Sequence, residues 1–194
     1  MLKTLTFGLV SATLLACSVN AENTQKIMEI GHLRLKNNLD RPQDGYCLDI
    51  VGSGNHIRFD MPLTAHNCKP GLYEDEAVSI HEKQYIYFPY HQKCATAAGL
   101  NGRALSGAAV IPQDCLKDSD FFIAKPLQTF VFHDNGQIEL KGSGLCLNAG
   151  TQSDSTFSDE HRWRSLFLTE CSSAEPAYSE WYFSGKEKIS ASKE

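Results

Sequence analysis

DGYCLDIVG, Asp44 to Gly52, sets a cysteine inside a short apolar run and puts an aspartate two residues behind it. GSGLCLNAG, Gly142 to Gly150, repeats nearly the same phrase about a hundred residues later. The two stretches read as copies, so an internal repeat is the first possibility to pursue. The cysteines carry its period. Cys47 to Cys68 spans 21 residues, Cys94 to Cys115 spans 21, and Cys146 to Cys171 spans 25.

The flanking residues repeat as well. Five and three positions before each second cysteine stand Leu63 and Ala65, Val110 and Pro112, Leu166 and Leu168. This is strand alternation with one face turned inward. Proline cannot donate to a ladder, so Pro112 implies an edge or a bend. Further on, Val78 to Ile86, Phe130 to Ile138 and Trp181 to Ile189 each place an isoleucine eight positions after an apolar residue. Polar turn residues lie between, most clearly Asp134-Asn135-Gly136, and each stretch is expected to fold as a hairpin. No helical periodicity of useful length is present. The chain therefore reads as three units of about fifty residues, each too small to bury its own apolar face. Three such units around an axis can do so, and closure into a barrel removes exposed strand edges. The expected fold is all-β: a β-trefoil of three repeats over residues 22–190.

The first 21 residues, MLKTLTFGLVSATLLACSVNA, carry one charge, Lys3, before an apolar run from Leu5 to Ala16. That layout is a secretory signal, too short for a stable membrane span, with cleavage expected after Ala21. Leu14-Leu15-Ala16-Cys17 also resembles a bacterial lipobox, which would make Cys17 a lipid anchor and the protein a lipoprotein. Either route removes Cys17 from pairing. Six of the seven cysteines remain, a disulfide framework for a secreted or periplasmic chain. There is no Cys-x-x-Cys pair, so no zinc or other metal is expected, and no cofactor. Losing Lys3, the only charge before Glu22, takes the formal charge from −5 to −6. That argues against nucleic acid and against a polybasic membrane surface. No other segment is apolar enough to span a bilayer. The final residues, 191–194, read as a frayed tail.

The pattern resembles the ricin-type β-trefoil lectin family. In that family each repeat opens with Cys-Leu-Asp, carries a second cysteine about twenty residues on, and closes on Gln-x-Trp. YCLDI and LCLNA match the opening, QTF at Gln128–Phe130 is close to the ending, and SEWYF keeps the tryptophan as Trp181. The first repeat has Glu76-Ala77-Val78 there. The resemblance covers roughly residues 32 to 190. Since equivalent units should close equivalent loops, the repeat pairs Cys47 with Cys68, Cys94 with Cys115, and Cys146 with Cys171. The resemblance also implies an exported carbohydrate-binding protein whose sites use the residue two after the first cysteine and an aromatic two before the second. Polar residues beside the closing tryptophan complete each site.

Carried over residue by residue, the first repeat offers Asp49, His66, Asp75 and Glu76. A carboxylate can accept from two sugar hydroxyls at once. The two further acids would repel each other unless hydrogen-bonded or bound to a cation. The second repeat has Thr96, Gln113 and Gln128 at these places and reads as a dead site. The third has Asn148, Thr169, Tyr178 and Ser179, beside a longer loop whose Trp163 and Phe157 could offer a stacking surface. A core or strand-packing place is the simpler reading of Trp163. Trp181 and Phe130 are expected in the core.

Catalysis has no support: there is no Gly-x-Ser-x-Gly elbow, HEKQY at His81 lacks a second zinc histidine, and GSGNH and KGSG are turn glycines. The expected partner is a glycan or glycoconjugate. The rival is a trefoil with degenerate sugar sites that binds a protein, a class resembling the binding subunits of cytolethal distending toxins. A lectin should bring Asp49, His66 and the Asp75-Glu76 pair to one shallow pocket. An interaction module should expose an apolar patch near the third-repeat loop.

Overall fold

The computed structural model describes residues 27–190; the signal segment, Cys17 and the tail at 191–194 lie outside the described residues. Short strands and turns build the chain. β1 (Ile27–Leu35) leads into β2 (Tyr46–Asp49), which pairs with β3 (Thr64–Asn67). β4 (Ser79–His81) and β5 (Tyr85–Phe88) form a hairpin, and β5 runs on to β6 (Lys93–Ala97). A small ribbon of β7 (Gly99–Leu100) and β8 (Arg103–Ala104) precedes β9 (Val110–Asp114), which returns onto β6. After a one-turn helix, α1 (Ala124–Gln128), come the hairpin strands β10 (Phe130–Phe132) and β11 (Ile138–Leu140). β12 (Leu145–Ala149) pairs with β14 (Arg162–Glu170), which also carries β13 (Asp154–Ser155). A second helical turn, α2 (Pro176–Ser179), leads into β15 (Trp181–Ser190).

The strands pair in two runs, β10-β11-β12-β14-β3-β2-β1-β15 and β4-β5-β6-β9. Single bridges curl them together: Gly31 to Val78 and Ala109 to Phe167 join the two runs, and Gln137 to Glu180 ties the ends of the longer one. The same register recurs at each first cysteine. Cys47 faces Arg34 and His66, Cys94 faces Tyr87 and Gln113, and Cys146 faces Glu139 and Thr169. All three expected disulfides are formed, Cys47–Cys68, Cys94–Cys115 and Cys146–Cys171. Such bonds persist in oxidising surroundings, which suits an extracellular or periplasmic protein. Pro112 lies on β9, an edge strand of its run, as a missing donor requires.

One expected hairpin is absent. From Trp181 to Ile189 the chain does not turn back; β15 runs straight and pairs with β1 along its length. Leu35 faces Trp181 and Leu33 faces Phe183, just as Leu140 faces Phe130 and Ile138 faces Phe132 in the β10–β11 hairpin. The partner strand comes from the start of the chain, so the spacing to Ile189 has no turn behind it. The polar residues read as a turn instead form a β-bulge: the register slips between Ile30 and Gly31, opposite Gly185. A Cβ on Gly31 would lie 2.1 Å from the Ser184 carbonyl oxygen, so the strands cross only because that position is glycine.

Inward residues from these pairs make one continuous core, including Leu33, Leu48, Ile86, Phe88, Ile138 and Leu147. Phe130 and Trp181 belong to it, as their register implies; Trp181 is 2% exposed and donates its indole N–H to the Leu147 carbonyl at 3.1 Å. Among the described residues no helix is long and apolar enough to cross a membrane.

Candidate functional site

Asp49 ends β2 opposite Thr64, the first residue of β3. Beyond β3 the chain passes Cys68 and Lys69, then loops back so that Glu76 and Ala77 both donate their backbone N–H to the Tyr73 carbonyl. This tight return brings Asp75 and Glu76 beneath Asp49. All three acids are buried: Asp49 is 4% exposed, Asp75 3% and Glu76 0%. Buried carboxylates require a counter-charge or a proton.

Lys69 supplies the charge. Its ammonium lies 2.5 Å from Asp75 Oδ2, 3.2 Å from Asp49 Oδ2 and 3.9 Å from Glu76 Oε1. Its backbone N–H donates to Glu76 Oε2 at 3.1 Å. One ammonium cannot neutralise three carboxylates, so burial pushes Glu76 and Asp49 up from the usual carboxylate range, against the pull of Lys69. The charge of Asp49 pushes Glu76 up further, as two carboxylates in one buried site must. Burial alone would lower Lys69, but the three acids outweigh it and hold the ammonium above its ordinary value. The cation that two adjacent acids demand is thus a residue passed over in the sequence. The signal was available: Lys69 follows the second cysteine directly, where Leu116 and Ser172 stand in the other units.

His66, on β3, lies 3.8 Å from Asp49 Oδ2 and shares a hydrogen bond with the Asn67 carbonyl. Burial pushes its pKa down, so the ring favours the neutral form. His161 stacks beside it at 6.0 Å between ring centres. Behind the acids, His32 on β1 approaches Glu76 Oε2 at 3.4 Å, with both side chains fully buried. Asp49, His66 and Glu76 each offer a ligand atom within 4.8 Å of the others, so a metal ion could be held there. The Lys69 ammonium already lies among the same carboxylates.

The cluster faces a cleft of 670 Å³. Asp49, His66, Lys69 and Asp75 line one end of it. Glu76 does not reach the cleft but stands behind Asp49 as its partner. The expected shallow dish is replaced by something larger, because the third-unit loop supplies a second wall from Thr156, Phe157, His161 and Trp163. Trp163 is not a core residue. It pairs with His66 and Asp154 across β14 and is half-buried at the cleft.

Among the described residues, the corresponding positions of the other two units do not gather into such a cluster. Asn148 is buried and donates its amide to the Ala149 carbonyl, and neither it nor Tyr178 lines the cleft. Arg164 lies over the Tyr178 ring at 5.8 Å, donates to the carbonyls of Gly150 and Thr151, and pairs with Asp40. In the second unit Thr96 and Gln128 are fully buried and hydrogen-bonded to each other at 2.8 Å.

No family model matches the chain, and no curated protein sequence does. Among solved structures, the agglutinin from Abrus precatorius is similar with a TM-score of 0.54 at 19% identity, covering 86% of this chain. This chain spans 51% of the agglutinin's length, about half. The solution structure of the mdaA-1 domain is similar with a TM-score of 0.52 at 16% identity, covering 82% of this chain and 89% of that one. At such identities the likeness is one of fold, and it supports a ricin-B-like architecture for the chain.

Proposed function

We propose that the protein is an exported β-trefoil of three repeats that binds carbohydrate, without catalysis, through its first repeat. The observation that carries this reading is the convergence of Asp49, Asp75, His66 and Lys69 on one end of a single cleft. Together they offer charged acceptors and a charged donor to a polyol, and charge-assisted hydrogen bonds are the stronger class. His66 and Trp163, side by side on neighbouring strands, supply flat apolar surface for a sugar ring. The fold it shares with a protein named an agglutinin is compatible with this reading.

A second reading has its own observation. Phe157 is 96% exposed on the third-unit loop, where an interaction module would present an apolar contact. A glycan array separates the two. The oxidised protein is displayed multivalently, because single carbohydrate sites bind weakly, beside an Asp49→Asn variant that keeps the volume and removes the charge. Binding that falls at least tenfold in the variant supports a first-repeat lectin. Undiminished binding moves the site to Asn148 and the third unit. Silence from a folded sample with all three disulfides intact favours the protein-interaction module.

A further inference from the structure

The cleft is larger and more apolar than its polar end requires. Its volume of 670 Å³ falls within the range that encloses a drug-sized ligand, about 300–1,000 Å³. The charged groups occupy one end only. The lining also includes the apolar Met61, Leu63, Trp163, Leu166, Phe167 and the largely exposed Phe157. Met61 is 41% exposed and Phe157 96%, so two large apolar side chains stand in water beside the opening. One or two sugars bonded to Asp49 and Lys69 would leave this wall uncovered. Apolar surface gains free energy in proportion to the area removed from water. A molecule that satisfies both ends has a hydroxylated head and an apolar body.

We propose that the ligand is an amphiphilic glycoconjugate, a sugar carrying an alkyl chain, with its head at Asp49, Lys69 and Asp75 and its chain along the Trp163–Phe157 wall. This rests on the carbohydrate reading of the same cleft and specifies its ligand class. Other groups in the molecule do not compete for the role. The exposed Leu100, Leu105 and Phe121 of the second unit do not line this cleft.

The test uses the oxidised protein and three matched sets of probes, all below their micelle concentrations. They are n-octyl β-glycosides of glucose, galactose, mannose and N-acetylglucosamine, the corresponding methyl glycosides, and tetraethylene glycol monooctyl ether as a chain without a sugar. Affinity is read by calorimetry, and Trp163 fluorescence locates the contact, since Trp181 is sealed in the core. At least one octyl glycoside should bind tenfold or more tightly than its methyl counterpart, and tenfold or more tightly than the octyl ether. Phe157→Ser, at a position 96% exposed, should shrink the octyl-to-methyl affinity ratio severalfold. Equal affinity for octyl and methyl glycosides would overturn the proposal and leave the lectin reading standing. Equal affinity for the octyl ether would overturn it by showing that the chain alone is recognised. Failure of every glycoside to bind a folded, fully disulfide-bonded sample would remove the carbohydrate reading and this inference with it.

Discussion

The first and second units solve one packing problem in opposite ways. In the second, Gln128 is fully buried and both ends of its amide are partnered. Its oxygen accepts from the Leu116 N–H at 2.7 Å, and its nitrogen donates to Thr96 Oγ1 at 2.8 Å and to the Asp114 carbonyl at 3.0 Å. Glu76 stands at the same place in the first unit, and its Oε2 accepts from the Lys69 N–H as the amide oxygen does from Leu116. There the likeness ends. A carboxylate oxygen replaces the donating nitrogen, and it meets Asp49 rather than a hydroxyl. Two acceptors at close quarters need a proton or a cation; Lys69 is the cation here, and burial raises both acids toward the protonated form. The second unit is sealed and neutral, whereas the first holds charge at the edge of a cleft. A stable core favours the first arrangement, and a site for a polar ligand favours the second of these two conditions, charge within reach of solvent.

Removing the cation should break the comparison most severely. Lys69→Met leaves three buried carboxyls without a counter-charge, and truncating one partner of a buried pair costs about 3–5 kcal/mol. Because the Lys69 side chain is 22% exposed, a loss near the lower end, about 3 kcal/mol, is expected by chemical denaturation at pH 7. The loss should shrink at pH 5, where the acids take up protons. Leu116→Met at the corresponding place in the second unit should change stability by less than about 0.5 kcal/mol.

Importing the first unit's acid into the second comes next. Gln128→Glu sets a carboxyl oxygen against the Asp114 carbonyl, while Lys93 and Lys117 are engaged by the Asp114 carboxylate, and a buried group left unpaired costs about 1–3 kcal/mol. A loss of about 2 kcal/mol at pH 7 is expected.

The reverse exchange should be stabilising and smaller. Glu76→Gln restores a donor toward Asp49 and should raise stability at pH 7 by about 1 kcal/mol. Its pH dependence has a definite sign. Burial raises Glu76 above its ordinary value of 4.5, so above that pH the folded state holds a proton the unfolded state has lost. Wild-type stability therefore falls as pH climbs out of the acid range. The advantage of Glu76→Gln should be near zero at pH 4 and grow toward neutrality. Denaturation curves from pH 4 to 8 check this, and a variant less stable than wild type at pH 7 would contradict the reading of Glu76 as a buried, raised acid.

Much of this was legible in the residues. The disulfide pairs follow from similar cysteine spacings, 21, 21 and 25 residues, since each first cysteine sits in the same strand register. Alternation at Leu63-x-Ala65 and Leu166-x-Leu168 gave the strands their inward faces. The strand that closes the third hairpin was not legible. GHLRL at Gly31–Leu35 meets its partner some 150 residues later with no turn between them, and local periodicity carries no record of such a pairing. Of the candidate site, Asp49, His66 and Asp75 reach the cleft, while Glu76 acts from behind. Lys69 was missed because it lies outside the positions that the family resemblance highlights. Trp163 packs within a strand, as one expected reading had it, but its place at the cleft was not legible, because a tryptophan between arginines looks the same whether its strand faces the core or a cleft; its cross-strand partner His66 decides that, and cross-strand partners are not written locally.

The most direct test makes the first unit into the second. The quadruple substitution Asp49→Thr, Lys69→Leu, Asp75→Leu and Glu76→Gln installs the residues of the sealed unit, Thr96, Leu116, Leu127 and Gln128, in the open one, and its glycan array is compared with that of the unsubstituted protein. A variant at least as stable as wild type that has lost the array signal is the predicted result. A signal that survives the exchange would contradict the account, since the charge at the first unit would then have no part in binding.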